Sequence, residues 1–242
     1  MPTVTSTSNG FVALLEPVTS VAFRTAARVR GARAFHPRGR AYTAQVRIDA
    51  DRAPDGFPSG AHEAIVRFSR GVGLPDAVPD ILGIAVRLVD AAGPRVHQDL
   101  LMASSGRSVL GRHLLRPGRS FTSGVFSTIL PYDVRGQRVV FGARVVGDAE
   151  VLLGQAADHV VELLWSTPGD GADDWTVMGE LRPGVPLGEE EEGRLGLDPF
   201  RTTPDVTPVG WLNDLRRPAY GASRQGRTGD ALAGSLPGRV ES

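Results

Sequence analysis

The sequence predicts an α+β chain, an antiparallel β-barrel or sandwich flanked by helices. Three observations predict it. Seven short runs alternate apolar and polar residues or are rich in Val and Leu, as strands are. Gly/Pro-containing turns join them, drawn from 30 glycines and 18 prolines in 242 residues, which points to a β-rich body rather than a helical bundle. The longest helix-like segments stand at the two ends of the chain.

In chain order, "FVALLEPVTSVAFRTAARVRGARAF" (11–35) reads as helical with a break around Pro17. "AYTAQVRID" (41–49) alternates as a half-buried strand, and "EAIVRFS" (63–69) and "LGIAVRLVD" (82–90) follow its pattern. Between the last two lies the Gly/Pro loop "RGVGLPDAVPDI". "HQDLLMAS" (97–104), "RVVFGARVVG" (138–147), "HVVELLWST" (159–167) and "DWTVMGELR" (174–182) complete the strands, with a short helix expected over 149–157. "GEEEEG" (188–193) reads as a solvated acidic turn or helix start. "GWLNDLRRPAYGASRQGR" (210–227) is a terminal helical segment in which Pro218 kinks the helix or starts a new one. The expectation is one domain over 1–227 and a disordered, Gly- and polar-rich tail over 228–242.

Composition narrows the chemistry. The absence of cysteine excludes disulfides, zinc–cysteine sites, iron–sulfur clusters, a cysteine nucleophile and covalent haem attachment. All 27 basic residues are arginine, so a lysine Schiff base and a P-loop lysine are excluded too. Formal net charge is zero, so nucleic acid is not an expected partner. No apolar run is long enough to span a bilayer, and a membrane is not an expected partner either. The start "MPTVTSTSNG" has no basic region followed by an apolar one, so a cytoplasmic protein is expected. The pairs His62–Glu63, His97–Asp99 and His159–Glu162 read as polar positions beside strands rather than metal ligands.

Three pieces carry chemistry. Arg216, Tyr220 and Arg224, at i, i+4 and i+8, lie along one helical face. A phenol among guanidinium groups has its phenolate favoured, and tyrosinate is a recognised axial ligand of haem iron. Taken alone, the pattern fits an exposed tyrosine on a basic helix equally well. The second piece is Arg33-x-x-His36-Pro-Arg-Gly39, just before the first strand, and the third is Arg67-Phe68-Ser69 at the end of the second.

Together these pieces resemble the haem catalase superfamily, in its small, catalase-related peroxidase branch. "RAFHPRG" matches the histidine turn that leads into that family's first barrel strand, and "RFSRGVGLPDAVPDILGIAVRL" matches its Arg-Phe-Ser strand, loop and following strand. "RRPAYGASR" matches the proximal helix, and the likeness runs from about residue 20 to 225. The resemblance implies a catalase-like barrel, a haem b cofactor, and the proximal ligand helix near the C-terminus. It casts His36 as the acid–base group above the iron and Ser69 as the serine that fixes its ring. Tyr220 would be the iron ligand, kept ionised by Arg216. Arg33 and Arg67, with Arg224, would grip the propionates.

The chain departs from that family in one place. Where catalases place an asparagine that assists peroxide, this chain has "MASSG"; Ser104 is the candidate donor there. The implied activity is therefore peroxidase-like oxidation with hydrogen peroxide or an organic hydroperoxide, acting on a small organic substrate, with weak catalase activity. A homodimer is left open. The alternatives are a haem carrier or sensor on the same fold, and a haem-free barrel that holds an acidic small molecule with its arginines.

Overall fold

The computed structural model describes residues 38–108, 110–147, 151, 153–155, 158–167 and 174–210. These all fall in the unit Phe35–Ser242. The predicted helix over 11–35, that over 210–227 beyond Gly210, and the tail over 228–242 lie outside the described residues.

Ten strands are described: β1 (Arg38–Ile48), β2 (Gly60–Arg70), β3 (Leu82–Leu88), β4 (Gln98–Ser105), β5 (Val125–Ser127), β6 (Tyr132–Val134), β7 (Gln137–Val145), β8 (Val161–Ser166), β9 (Thr176–Pro186) and β10 (Val206–Pro208). Every pairing is antiparallel, and the order β1-β2-β3-β4-β5-β7-β8-β9 returns to β1. That circuit is an eight-stranded closed barrel, so the sandwich alternative is excluded. β6 and β10 extend the edge of β7 below β5. One six-residue helix, α1 (Glu189–Arg194), is described.

Alternation decides which face is inside. Tyr42, Ala44, Val46 and Ile48 of β1 join Ala64, Val66 and Phe68 of β2 and Leu82, Ile84, Val86 and Leu88 of β3 in one buried cluster with every other barrel strand. Aromatic rings fill the middle: Phe68 meets Phe121 edge-on at 5.4 Å, Phe121 stacks on Phe126 at 5.8 Å, and Phe57 leans on Phe141 at 4.9 Å. An eight-stranded barrel is just wide enough for such a packed interior. A ligand the size of a porphyrin therefore has no room inside, and any such site lies on the outer wall.

The seven predicted strands are all present, with moderate changes at their ends. β9 runs on to Pro186 through Pro183, where the sequence reading stops at 182. The reason is one-sided pairing: β8 accompanies β9 only as far as Leu181, so a proline lacking an N–H meets a strand on one edge alone. Over the expected helix at 149–157, the described residues 153–155 form a turn.

The β3–β4 hairpin holds a buried histidine. His97 is 7% exposed, and its Nδ1 accepts the Asp90 backbone N–H at 3.1 Å. Burial, then the neighbouring Arg87, hold its pKa below the ordinary 6.5; Asp90 opposes them, Arg201 adds to them and Asp99 opposes. The native state thus favours the neutral ring and the unfolded chain binds the proton more readily. This stability is fully present above the unfolded pKa and is lost as pH falls through the lower native value. His113, also pushed down mainly by burial, acts in the same direction. The melting temperature is expected to fall as pH drops below about 6.5, with a shallower fall in His97→Gln. A profile for His97→Gln as steep as the parent's would refute this role.

Candidate functional site

Of the three predicted site residues that are described, Arg67 and Ser69 stand on the outer wall. Ser69 and Arg67 have the parity opposite to the buried Phe68, so both face away from the core cluster. Ser69 is 4% exposed and its Oγ donates to the Gly83 carbonyl at 3.3 Å. Along the hydrogen-bonded rows Gly39 stands opposite Ser69, Ser69 opposite Gly83, and Gly83 opposite Ala103. The row continues through Ser127 to Gly142. Across six strands this strip of outer wall bears no side chain larger than serine.

Both ends of the strip are defined by a bulky neighbour. A Cβ on Gly39 would run into the Arg67 guanidinium, so the missing side chain is what lets that cation lie across β1. A Cβ on Gly142 would meet the Trp175 ring at 2.7 Å. Trp175 in turn carries Arg112, whose Cζ sits 5.0 Å from its ring centroid. Arg112 is fully buried and donates from Nη1 to Ser166 Oγ.

Arg67 is tied down by α1. Its Nε lies 3.3 Å from Glu192 Oε1, while Glu192 Oε2 accepts the Ala41 backbone N–H, also at 3.3 Å. The helix is seated by apolar contact, since Leu187 and Leu195 pack with Ala41 and Ile65 of the wall. Its N-terminus is capped by Glu191, which accepts the Gly188 N–H at 2.9 Å, and four acidic residues in the first turn suit the helix dipole. The acidic run is thus half structural cap and half counter-charge for Arg67.

The structure does not bring Ser104 to Ser69. Ser104 has inward parity, and both of its hydrogen-bonding roles are taken: Oγ accepts the Leu82 N–H at 3.0 Å and donates to the Arg116 carbonyl at 2.7 Å. Ala103 is the residue of "MASSG" that stands in the Ser69 row. The remaining candidates, Arg33, His36, Arg216, Tyr220 and Arg224, lie outside the described residues. Among those described, no group of three or more acidic or histidine side chains is arranged to hold a metal ion.

Glu192, Ser127 and Trp175 are additions from the structure, which also singles out Ala103 within "MASSG". Nothing in the sequence marks Glu192, because its partner is 125 residues away. Ala103 and Ser127 emerge only once strand register is known.

No family model and no curated protein matches the sequence. Solved structures do match. One is a bacterial catalase, with a TM-score of 0.57 and 14% identity over 100% of this chain and 65% of that one. A fungal catalase gives 0.60 and 12% over 95% and 66%. Catalase A from Saccharomyces cerevisiae gives 0.57 and 11% over 95% and 68%. The chain therefore has a catalase-like fold, built on the same antiparallel barrel, and spans about two-thirds of the length of these enzymes.

Proposed function

We propose that the chain binds one haem b and uses hydrogen peroxide or an organic hydroperoxide to oxidise a small organic molecule. The observation that carries this reading is the small-residue strip Gly39–Ser69–Gly83–Ala103–Ser127, edged by Arg67. It begins at Gly39 on β1, the strand that Arg33-x-x-His36 precedes in sequence. The described residues fit the cofactor. A wall without bulky side chains suits a flat ring, a guanidinium at its edge suits a carboxylate, and the filled barrel leaves the outer face as the place to bind. Tyr220 would hold the iron, with Arg216 beside it; Arg33, Arg67 and Arg224 would hold the propionates. Bound haem supplies an iron centre at which the O–O bond of a hydroperoxide can be broken.

The protein's part is to move a proton and to position. His36 takes a proton from the hydroperoxide and returns it to the leaving oxygen. Ser69 sets the tautomer. Its own hydrogen is directed to Gly83 O, so toward an imidazole it acts as acceptor and holds one ring N–H. The other ring nitrogen keeps its lone pair, which is the form a general base needs. Ala103 offers no hydrogen bond to a second peroxide. Orienting that second molecule is what dismutation requires, so oxidation of another donor is favoured over oxygen release.

Tyr220→Phe is expected to lose most haem or to shift its absorption spectrum. Arg67→Ala, which removes a charge-assisted contact, is expected to weaken haem retention by about ten- to a hundredfold. Haem content and spectra of the purified variants check both, and unchanged values in both would remove the site. Oxygen evolution and dye oxidation, followed on one preparation, test the chemistry. Full haem loading with no turnover of any hydroperoxide would leave a carrier or sensor instead.

A further inference from the structure

Two loops at one end of the barrel form a hydrogen-bonded rim that bears exposed apolar side chains. The β2–β3 connection (71–81) and the β4–β5 connection (106–124) are stitched by reciprocal backbone bonds, Asp80 N–H to Gly118 O and Gly118 N–H to Asp80 O, both 2.9 Å. The first loop is braced from below. The buried Asp80 carboxylate accepts the backbone N–H groups of Val72, Gly73, Leu74 and Ile81 at 2.7–3.2 Å. The fully buried Arg70 donates to the carbonyls of Leu74 and Pro75. The second loop is held where Arg116 N–H meets Ser104 O at 2.8 Å.

On this frame the side chains of Val72, Val78, Leu110, Leu114 and Leu115 are 36–50% exposed. Among the described residues seven large apolar side chains are exposed to that degree, so five of the seven sit on these two loops. Single exposed leucines are ordinary, but a cluster marks a surface that meets something apolar. Its charge says what. Residues 106–119 contain Arg107, Arg112, Arg116 and Arg119 and no carboxylate. Arg112 is buried and the other three are exposed. Of the two acids in the facing loop, Asp80 is buried, and Asp76, its side chain 40% exposed, has Oδ1 3.7 Å from the buried Arg70 Nε, against three exposed arginines on the second loop.

We propose that this rim is a docking surface for an anionic lipid bilayer. The leucines and valines enter the boundary between headgroups and acyl chains, and Arg107, Arg116 and Arg119 meet lipid phosphates. Docking of this kind needs no membrane-spanning segment, so it departs from the expectation that composition alone suggests. None of these side chains belongs to the Ser69 row, which stands at the same end of the barrel.

The test floats the full chain with vesicles of phosphatidylcholine alone and with vesicles in which about one-third of the lipid is phosphatidylserine. Binding is expected to the anionic vesicles only, weakening as salt is raised. Leu110→Ser with Leu114→Ser should lower partitioning about tenfold or more. Arg116→Gln with Arg119→Gln should lower it about twenty-fivefold, at about fivefold for each charge. Val185→Ser, which alters an exposed valine outside the two loops, should change nothing. Melting temperatures of the variants verify that each is folded. Failure to float with anionic vesicles, or flotation indifferent to both double variants, overturns the proposal. A dimer in light scattering that Leu110→Ser breaks, with no vesicle binding, assigns the rim to a second copy of the chain instead.

Discussion

His36→Ala is expected to slow hydroperoxide cleavage by about 10²–10⁴-fold while leaving haem content unchanged. The magnitude follows from the loss of a positioned acid–base group, since the proton must then travel through solvent. Ser69 sharpens the expectation. Because its hydrogen is directed to Gly83 O, Ser69→Ala removes only an acceptor from the imidazole and should cost less than loss of the ring itself. The order His36→Ala far slower than Ser69→Ala, with equal haem loading, distinguishes acid–base chemistry from a packing role. The measurement is the rate of spectral change on mixing with a hydroperoxide across pH. A His36→Ala protein that reacts at the parent rate would remove this histidine from the mechanism.

Asp99→Ala is expected to cost about 3–5 kcal/mol of stability, enough to unfold many domains outright. Asp99 is fully buried on the outer wall of β4 and binds Arg87 of β3 through two hydrogen bonds of 2.7 and 2.8 Å. It also accepts the Asp198 backbone N–H at 2.9 Å, which fastens the segment after α1 to the barrel. Removing the carboxylate leaves the Arg87 guanidinium, itself 3% exposed, without its counter-charge. Asp99→Asn keeps the acceptor toward Asp198 and should lose less. Urea unfolding of the two variants gives the comparison, and an Asp99→Ala loss below about 1 kcal/mol would show that the pair contributes little.

The barrel was legible because half-buried strands announce themselves by alternation. β1 through β4 read as strands because each sets inward Val, Leu, Ile or Phe beside outward residues that are polar or small except Ile65 and Leu101. β5, β6 and β10, three residues each, are too short to show any period and were not expected. The site was harder for a different reason. In a strand a slip of one residue exchanges the two faces, so "MASSG" alone could not say whether Ala103 or Ser104 stands beside Ser69. Pairing between strands decides it, and pairing is invisible in the linear sequence. Glu192 was hidden by its own neighbours: four consecutive glutamates look like a solvated run, and only a helix docked on the wall singles one of them out.

The seam between β1 and β9 brings together residues as distant as Thr43 and Val185, 142 positions apart. The β1–β2, β2–β3 and β3–β4 pairs join near neighbours in sequence, so a curved four-stranded sheet can assemble early. Closure has to wait for the rest of the chain. The entropy of that long loop grows only logarithmically, about 0.6 kcal/mol per doubling, but distant pairing of this kind places β-proteins among the slow folders. Until β9 arrives, the free edge of β1 offers unpaired backbone groups beside an uncovered face of Tyr42, Val46 and Ile48. The same circuit that leaves the finished barrel without an open edge makes the half-built one a template for aggregation, and the hazard ends when β1 meets β9.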